Sequence, residues 1–196
     1  MPEPAPILAE VPAHRAARLL PDGGDARTVL TAEPAATRAL AARLAASAEP
    51  GDLLALDGPL GAGKTEFARG YARGLGVAGP VSSPSFVLMA EHEGRLPLFH
   101  LDGYRLAGPE DAWASGLLDE RRAEGVTVVE WAARFGPALQ VGRLAIVIDG
   151  AGDDPRTITL RGTDARHRRL LAEVLGPAGA GKAGGGEQAG GPGGGG

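Results

Sequence analysis

The stretch DLLALDGPLGAGKTEFARGYARGLG (52–76) constrains the fold more than any other part of the chain. It begins with a short apolar run of buried-strand length, 52–57. Gly58-Pro59-Leu60-Gly61-Ala62-Gly63-Lys64-Thr65 follows at once, and then a helical pattern over 65–76 that closes on a glycine. G-x-x-x-x-G-K-T set between a strand and a helix has a direct physical reading. Glycines let successive backbone N–H groups turn into one concavity, and the start of a helix adds positive potential, so a polyphosphate is cradled. Lys64 then reaches the β- and γ-phosphates, and the Thr65 hydroxyl is placed to ligate Mg2+. The same letters recur as GPAGAGKA over 176–183. That copy ends in Ala, follows a helix and opens a glycine-rich tail, so no binding is expected of it.

Around this unit the chain alternates. Strands are expected at 27–31, 52–57, 126–130, 143–149 and 156–162. A hairpin is expected from SFVLMAEH (85–92) and RLPLFHLD (95–102) around Glu93-Gly94. Helices are expected at 34–47, 65–76, 109–125 in two pieces, and 164–176. Apolar strands separated by helices predict an α/β protein of the P-loop NTPase-like kind. It would be a three-layer sandwich with a mixed, mainly parallel central sheet. Residues 1–26 read as a flexible arm rich in Pro and Ala, 27–175 as the P-loop domain, and 176–196 as a tail. Glycine at the tail's density cannot bury enough surface to offset its backbone entropy, so the tail is expected to be disordered.

Composition excludes several classes. The formal net charge of −4 argues against a protein whose main task is wrapping nucleic acid. With no cysteine, the chain has no disulfides, thiolate metal sites or cysteine nucleophiles. No apolar run approaches the length of a membrane span, so no membrane partner is expected. MPEPAPILAEVPAH does not have the form of a secretory signal, and a cytoplasmic location is the expectation.

A P-loop protein needs a carboxylate at the end of a neighbouring strand to hold Mg2+, directly or through water. Asp102 ends LPLFHLD and Glu130 ends VTVVE, and open α/β sheets gather their chemistry beyond the carboxyl ends of strands. Either acid could instead be a solvated strand end. Trp131, beside Glu130, could pack in the core or at an interface, or lie near the nucleotide. Val81-Ser82-Ser83-Pro84-Ser85-Phe86 places hydroxyls around a proline, either as an ordinary turn or as a segment that senses the γ-phosphate.

Taken together, GPLGAGKTEFARGYARGLG, V-x-SPSF, LFHLDGYRL and VVEW resemble the TsaE (YjeE) family. These are bacterial P-loop ATPases needed for the threonylcarbamoyl modification of the adenosine next to the anticodon in certain tRNAs. The likeness runs from about Thr28 to Ile148, and H-x-D-x-Y-R with E-W is far more specific than the loop. The resemblance implies that Leu60, Gly61, Ala62, Gly63, Lys64 and Thr65 bind the phosphates of ATP, with Thr65 on Mg2+. It implies that Asp102 is the Walker B-like acid, that Thr65, Asp102 and Glu130 are the Mg2+ set, and that Glu130 is needed for hydrolysis, which makes Lys64, Asp102 and Glu130 the catalytic set. Ser85 and Trp131 join the nucleotide site. Ser85 stands where the family usually has Thr, and Gly103 where it commonly has Leu. The implied partners are TsaB and TsaD, with tRNA met mainly indirectly, and ATP hydrolysis is weak without them.

Other classes remain at this point. A small-molecule kinase would need an acceptor pocket with a basic lid, for which Arg121-Arg122 is the nearby candidate. A GTPase would need [N/T]-K-x-D, which is absent. A nucleotide-gated binding module would differ mainly in turnover. Arg161, Arg166, Arg168 and Arg169 could read tRNA directly, and Arg69, Arg105 and Arg134 are the candidates for an arginine finger.

Overall fold

The structure, a computed structural model, describes residues 26–114, 123–139 and 142–176. The arm over 1–25, the lid candidate Arg121-Arg122, and the tail with its second GxxxxGK copy from 177 onward lie outside the described residues. Seven strands form one sheet in the order β1-β7-β6-β2-β5-β4-β3. They are β1 (Ala26–Thr31), β2 (Leu53–Asp57), β3 (Met89–His92), β4 (Leu98–Asp102), β5 (Val126–Glu130), β6 (Leu144–Asp149) and β7 (Arg156–Gly162). β6, β2, β5 and β4 are mutually parallel, while β7 and β3 run antiparallel to their neighbours. β1 is antiparallel to β7 and so shares the direction of the central four. The expected mixed, mainly parallel sheet is present, with the strand of the glycine loop at its centre.

Side-chain alternation assigns the two faces. Leu54 and Leu56 of β2 and Val126 and Val128 of β5 turn to one face, where α1 (Pro34–Ala46), α2 (Lys64–Gly74) and α4 (Ala165–Leu175) cover them in the larger core. Leu53, Ala55, Phe99, Leu101 and Val129 turn to the other, under a thinner layer that includes Leu106, Ala132, Phe135 and Leu139. That thinner layer comprises α3 (Pro109–Ala114) and a 3₁₀ segment, Ala132–Leu139, kinked at Gly136. Three layers result, of unequal thickness.

α1 and α2 lie unusually close. A Cβ on Gly70 would sit 2.4 Å from the Arg38 carbonyl oxygen, and one on Gly74 would sit 2.6 Å from that of Ala42. Only hydrogen fits there, so these glycines set the spacing between the two helices. Asp164 caps α4 by accepting from the His167 amide at 2.8 Å.

One expectation needs correction. The strand expected over 85–92 is only Met89–His92, although the hairpin to β4 is present. Val87 and Leu88 instead donate to the Pro84 carbonyl, Leu88 has a φ of 64°, and Phe86 is 83% exposed. The proline-led turn thus outcompetes the strand propensity of Phe-Val-Leu. Of the helix expected in two pieces over 109–125, the described residues show Pro109–Ala114 and 3₁₀ residues at 123–124, and the stretch between lies outside them. The 3₁₀ segment was not anticipated, because Gly136 and Pro137 interrupt any helical period there.

Candidate functional site

The glycine loop joins the carboxyl end of β2 to the start of α2. Gly58 has a φ of 141°, and a Cβ there would lie 2.1 Å from the Ile148 carbonyl oxygen, so the loop leaves the sheet through a gap that admits only glycine. Gly63, at a φ of 107°, turns the chain into α2 without a side-chain cap. The first intrahelical bond is donated by Phe67 to Gly63 at 2.9 Å. The amides of Lys64, Thr65 and Glu66 precede it and are the orphan donors that a helix start offers to an anion.

Lys64 is 4% exposed. Its ammonium donates to the Gly58 and Pro59 carbonyls, both at 2.8 Å, and lies 3.7 Å from the centre of the Trp131 ring. Burial holds its pKa below the ordinary lysine range, against the pull of Glu130, Asp57 and Asp102. Such a cation gains from an arriving phosphate. Trp131 packs its ring on Tyr104, 5.0 Å between centroids, and holds a φ of 58°, rare for a large side chain. It therefore lies at the loop lysine and not in the core.

The two strand-end acids come together. Asp102 and Glu130 are register partners on β4 and β5, and His100, Asp102 and Glu130 all alternate to the α2 face. Thr65 donates from its hydroxyl to Glu130 Oε2 at 2.9 Å. Glu130 Oε1 lies 2.9 Å from Nε2 of His100, and both residues are buried. Asp102 faces a different set. Its Oδ2 accepts from Ser83 and, at 2.5 Å, from Ser85, whose hydroxyls are 2.7 Å apart; its Oδ1 accepts from the Tyr104 amide at 2.8 Å.

Every site residue expected from sequence except the buried Ala62 borders one cleft of about 570 Å³, from Leu60 and Gly61 through Gly63, Lys64 and Thr65 to Ser85, Asp102, Glu130 and Trp131. Ala62 instead lines a second cavity, of about 390 Å³, on the other side of the loop with Thr31, Glu33, Thr37, Gly152 and Arg156. Of the three arginine-finger candidates, Arg105 borders the cleft and rests on the Phe86 ring at 4.1 Å. Arg69 donates to the Val81 carbonyl and pairs with Glu66, and Arg134 donates to the Leu106 carbonyl. Arg166, a candidate for reading tRNA, grips the buried Asp52 with two bonds of 3.0 and 2.8 Å and reaches Glu49. Arg168 and Arg169 remain exposed on α4.

Sequence reasoning gave no role to Asp57, the acid immediately before the loop. It points to the opposite face of the sheet, accepts from the Ala133 amide at 3.0 Å, and burial pushes its carboxyl above the usual range. His100 was visible inside H-x-D-x-Y-R but had no stated partner. Arg156 carried no local signal at all.

The donor set suits Mg2+. That ion keeps several waters and asks a protein for one or two oxygens beside the phosphates, and the Thr65 hydroxyl and Glu130 carboxylate already converge. Among the described residues no group of three His, Cys, Asp or Glu side chains forms a metal cage. No described helix is long and apolar enough to cross a membrane.

Comparison with known proteins gives a consistent answer. Residues 31–158 match the family described as threonylcarbamoyl adenosine biosynthesis protein TsaE. The tRNA threonylcarbamoyladenosine biosynthesis protein TsaE of Bacillus subtilis is 43% identical over 145 residues, covering 74% of this chain and 90% of that protein. The protein of the same description from Streptomyces coelicolor is 41% identical, covering 70% and 98%. The crystal structure of Bacillus subtilis YdiB superposes with a TM-score of 0.64 at 41% identity, covering 77% of this chain and 95% of that one.

Proposed function

This chain belongs to the TsaE family, and on that premise we propose that it is the ATP-binding and ATP-hydrolysing component of tRNA threonylcarbamoyladenosine biosynthesis. The observation that carries the reading is the meeting of Thr65 and Glu130 beside the start of α2, where a phosphate chain would lie. The amides of Lys64, Thr65 and Glu66 hold the β-phosphate, and the Lys64 ammonium moves from the Gly58 and Pro59 carbonyls to the β- and γ-phosphates. Thr65 and Glu130 would hold Mg2+, and the ion would supply positive charge beside the phosphates. Asp102 acts one step further out, through water and through Ser83 and Ser85, whose hydroxyls register the γ-phosphate. The second cavity, beside Thr31 and Gly152, borders the same loop at Gly61 and Gly63 and offers the nucleoside its room. Trp131 covers Lys64 and keeps water from its ammonium. TsaB and TsaD are the partners in this reading; tRNA is met mainly through them, in the cytoplasm.

Steady-state ATP hydrolysis, alone and with the matching TsaB–TsaD pair, tests the proposal. Turnover should be weak alone and stimulated by the pair, and both Lys64→Ala and Glu130→Ala should abolish the stimulation. Transfer of phosphate to a small acceptor, with no response to the pair, would overturn it.

A further inference from the structure

Arg156, the first residue of β7, is distant in sequence from the glycine loop yet reaches two of its backbone carbonyls, as Lys64 does from within the loop. Its Nε donates to the Ala62 carbonyl at 2.9 Å, and one terminal nitrogen comes within 3.5 Å of the Gly61 carbonyl. The same guanidinium donates to the Gly152 carbonyl at 2.8 Å, to that of Asp154, and, at 3.4 Å, to that of Ala151. One rigid fork thus ties the phosphate loop to the β6–β7 loop, and among the described residues its hydrogen-bond partners are backbone carbonyls.

The consequence follows from peptide geometry. In a trans peptide the C=O and the following N–H point in opposite directions within one plane. Holding the Ala62 carbonyl toward Arg156 therefore turns the Gly63 N–H away from Arg156. Arg156 borders the second cavity, whereas Gly63 borders both, which leaves the cleft of Lys64 and Thr65 as the cavity on the side open to that N–H. Gly63, with no Cβ and a φ of 107°, is free to rotate this plane, and a loop of such residues does not fix it alone.

We propose that Arg156 is a positioning residue for phosphate binding: its guanidinium locks the Ala62–Gly63 peptide with Gly63 N–H toward the phosphates and couples that lock to the loop over 150–155. The proposal rests on the nucleotide-binding reading above. Lysine would keep the charge but lose the fork, so charge and geometry are separable.

The test is calorimetric titration of the full chain with Mg-ATP and with inorganic tripolyphosphate, for the wild type, Arg156→Lys and Arg156→Gln. Folding is checked by circular dichroism, and Arg166→Lys serves as a variant that perturbs a buried ion pair away from the loop. Both Arg156 variants should lose about tenfold or more in affinity for both ligands alike, as expected for hydrogen bonds from a charged donor. Arg166→Lys should lower the melting temperature and leave both affinities within twofold. In the wild type, the Gly63 amide resonance should shift downfield on adding tripolyphosphate, a readout that needs no variant to fold. Wild-type affinity in Arg156→Gln, full rescue by Arg156→Lys, a loss confined to ATP, or an unmoved Gly63 amide would each overturn the proposal. A wild type that binds neither ligand would sink the nucleotide-binding reading itself, a different result.

Discussion

Asp102 and Glu130 sit opposite each other on adjacent parallel strands, yet they are held in unlike ways. Glu130 is fixed by regular structure: Thr65 on the first turn of α2 takes one oxygen, and His100 on β4 takes the other. Asp102 is held by connections: Ser83 and Ser85 before β3, and the Tyr104 amide after β4. The difference teaches that two acids of one pair can have separate duties. The one locked to helix and strand suits a fixed metal ligand, and the one tied to a turn suits a group that changes partners during a cycle.

The strongest way to break this contrast is to remove each charge in turn. Glu130→Gln should cut partner-stimulated turnover by about a hundredfold or more if Glu130 is the direct cation ligand proposed above. Asp102→Asn, which keeps the shape and one acceptor, should cost about tenfold. Equal losses, followed across Mg2+ concentrations, would erase the distinction. Ser85→Ala should lower turnover only several-fold, and Ser85→Thr should stay within twofold, because the hydroxyl on Asp102 is retained. A double-mutant cycle sharpens this further: Ser85→Ala should couple to Asp102→Asn and add independently to Glu130→Gln.

The smallest effect on turnover, none, is expected at Asp164, remote from both acids. Asp164→Ala should lower stability by about 1 kcal/mol through loss of the α4 cap. Burial alone would raise the Asp164 carboxyl, but the His167 amide and imidazole, with Arg168 nearby, outweigh it and hold it below the usual range. A carboxyl depressed in the folded state stabilises fully above its unfolded value, about pH 4, and that contribution fades as pH falls through the lower folded value. The melting-temperature gap between wild type and Asp164→Ala should therefore close in acid; a gap that widens would contradict the assignment.

What the sequence disclosed follows from how local each signal is. The glycine loop was legible because its strand, turn and helix start are contiguous and their chemistry depends on neighbours in the chain. The acids at 102 and 130 were legible because a carboxylate closing an apolar run is itself unusual. Their division of labour was not, since it depends on which side chains reach them from α2 and from the turn at 83–85. Phe86-Val87-Leu88 misled because strand propensity is blind to the pull of a preceding proline turn. Arg156 was invisible because its partner Ala62 lies 94 residues away, and nothing around it hints at a loop to be held. Gly103, which stands where the TsaE family commonly has Leu, gained a meaning only in three dimensions. A Cβ there would come within 2.6 Å of the Phe135 ring, so this chain trades a side chain for a closely packed aromatic.

The pairing of β1 with β7 also orders events in time. β1 spans Ala26–Thr31 and its strand neighbour spans Arg156–Gly162, with the Thr28 and Thr159 hydroxyls meeting at 3.2 Å across 131 residues. On a ribosome adding about 5–20 residues per second, the first strand waits on the order of ten seconds for its partner. During that wait α1 and α2 can pair through Gly70 and Gly74, while β6 has a free edge until β7 arrives. A chain that pauses before residue 156 would carry its phosphate loop without the Arg156 fork and its sheet still open.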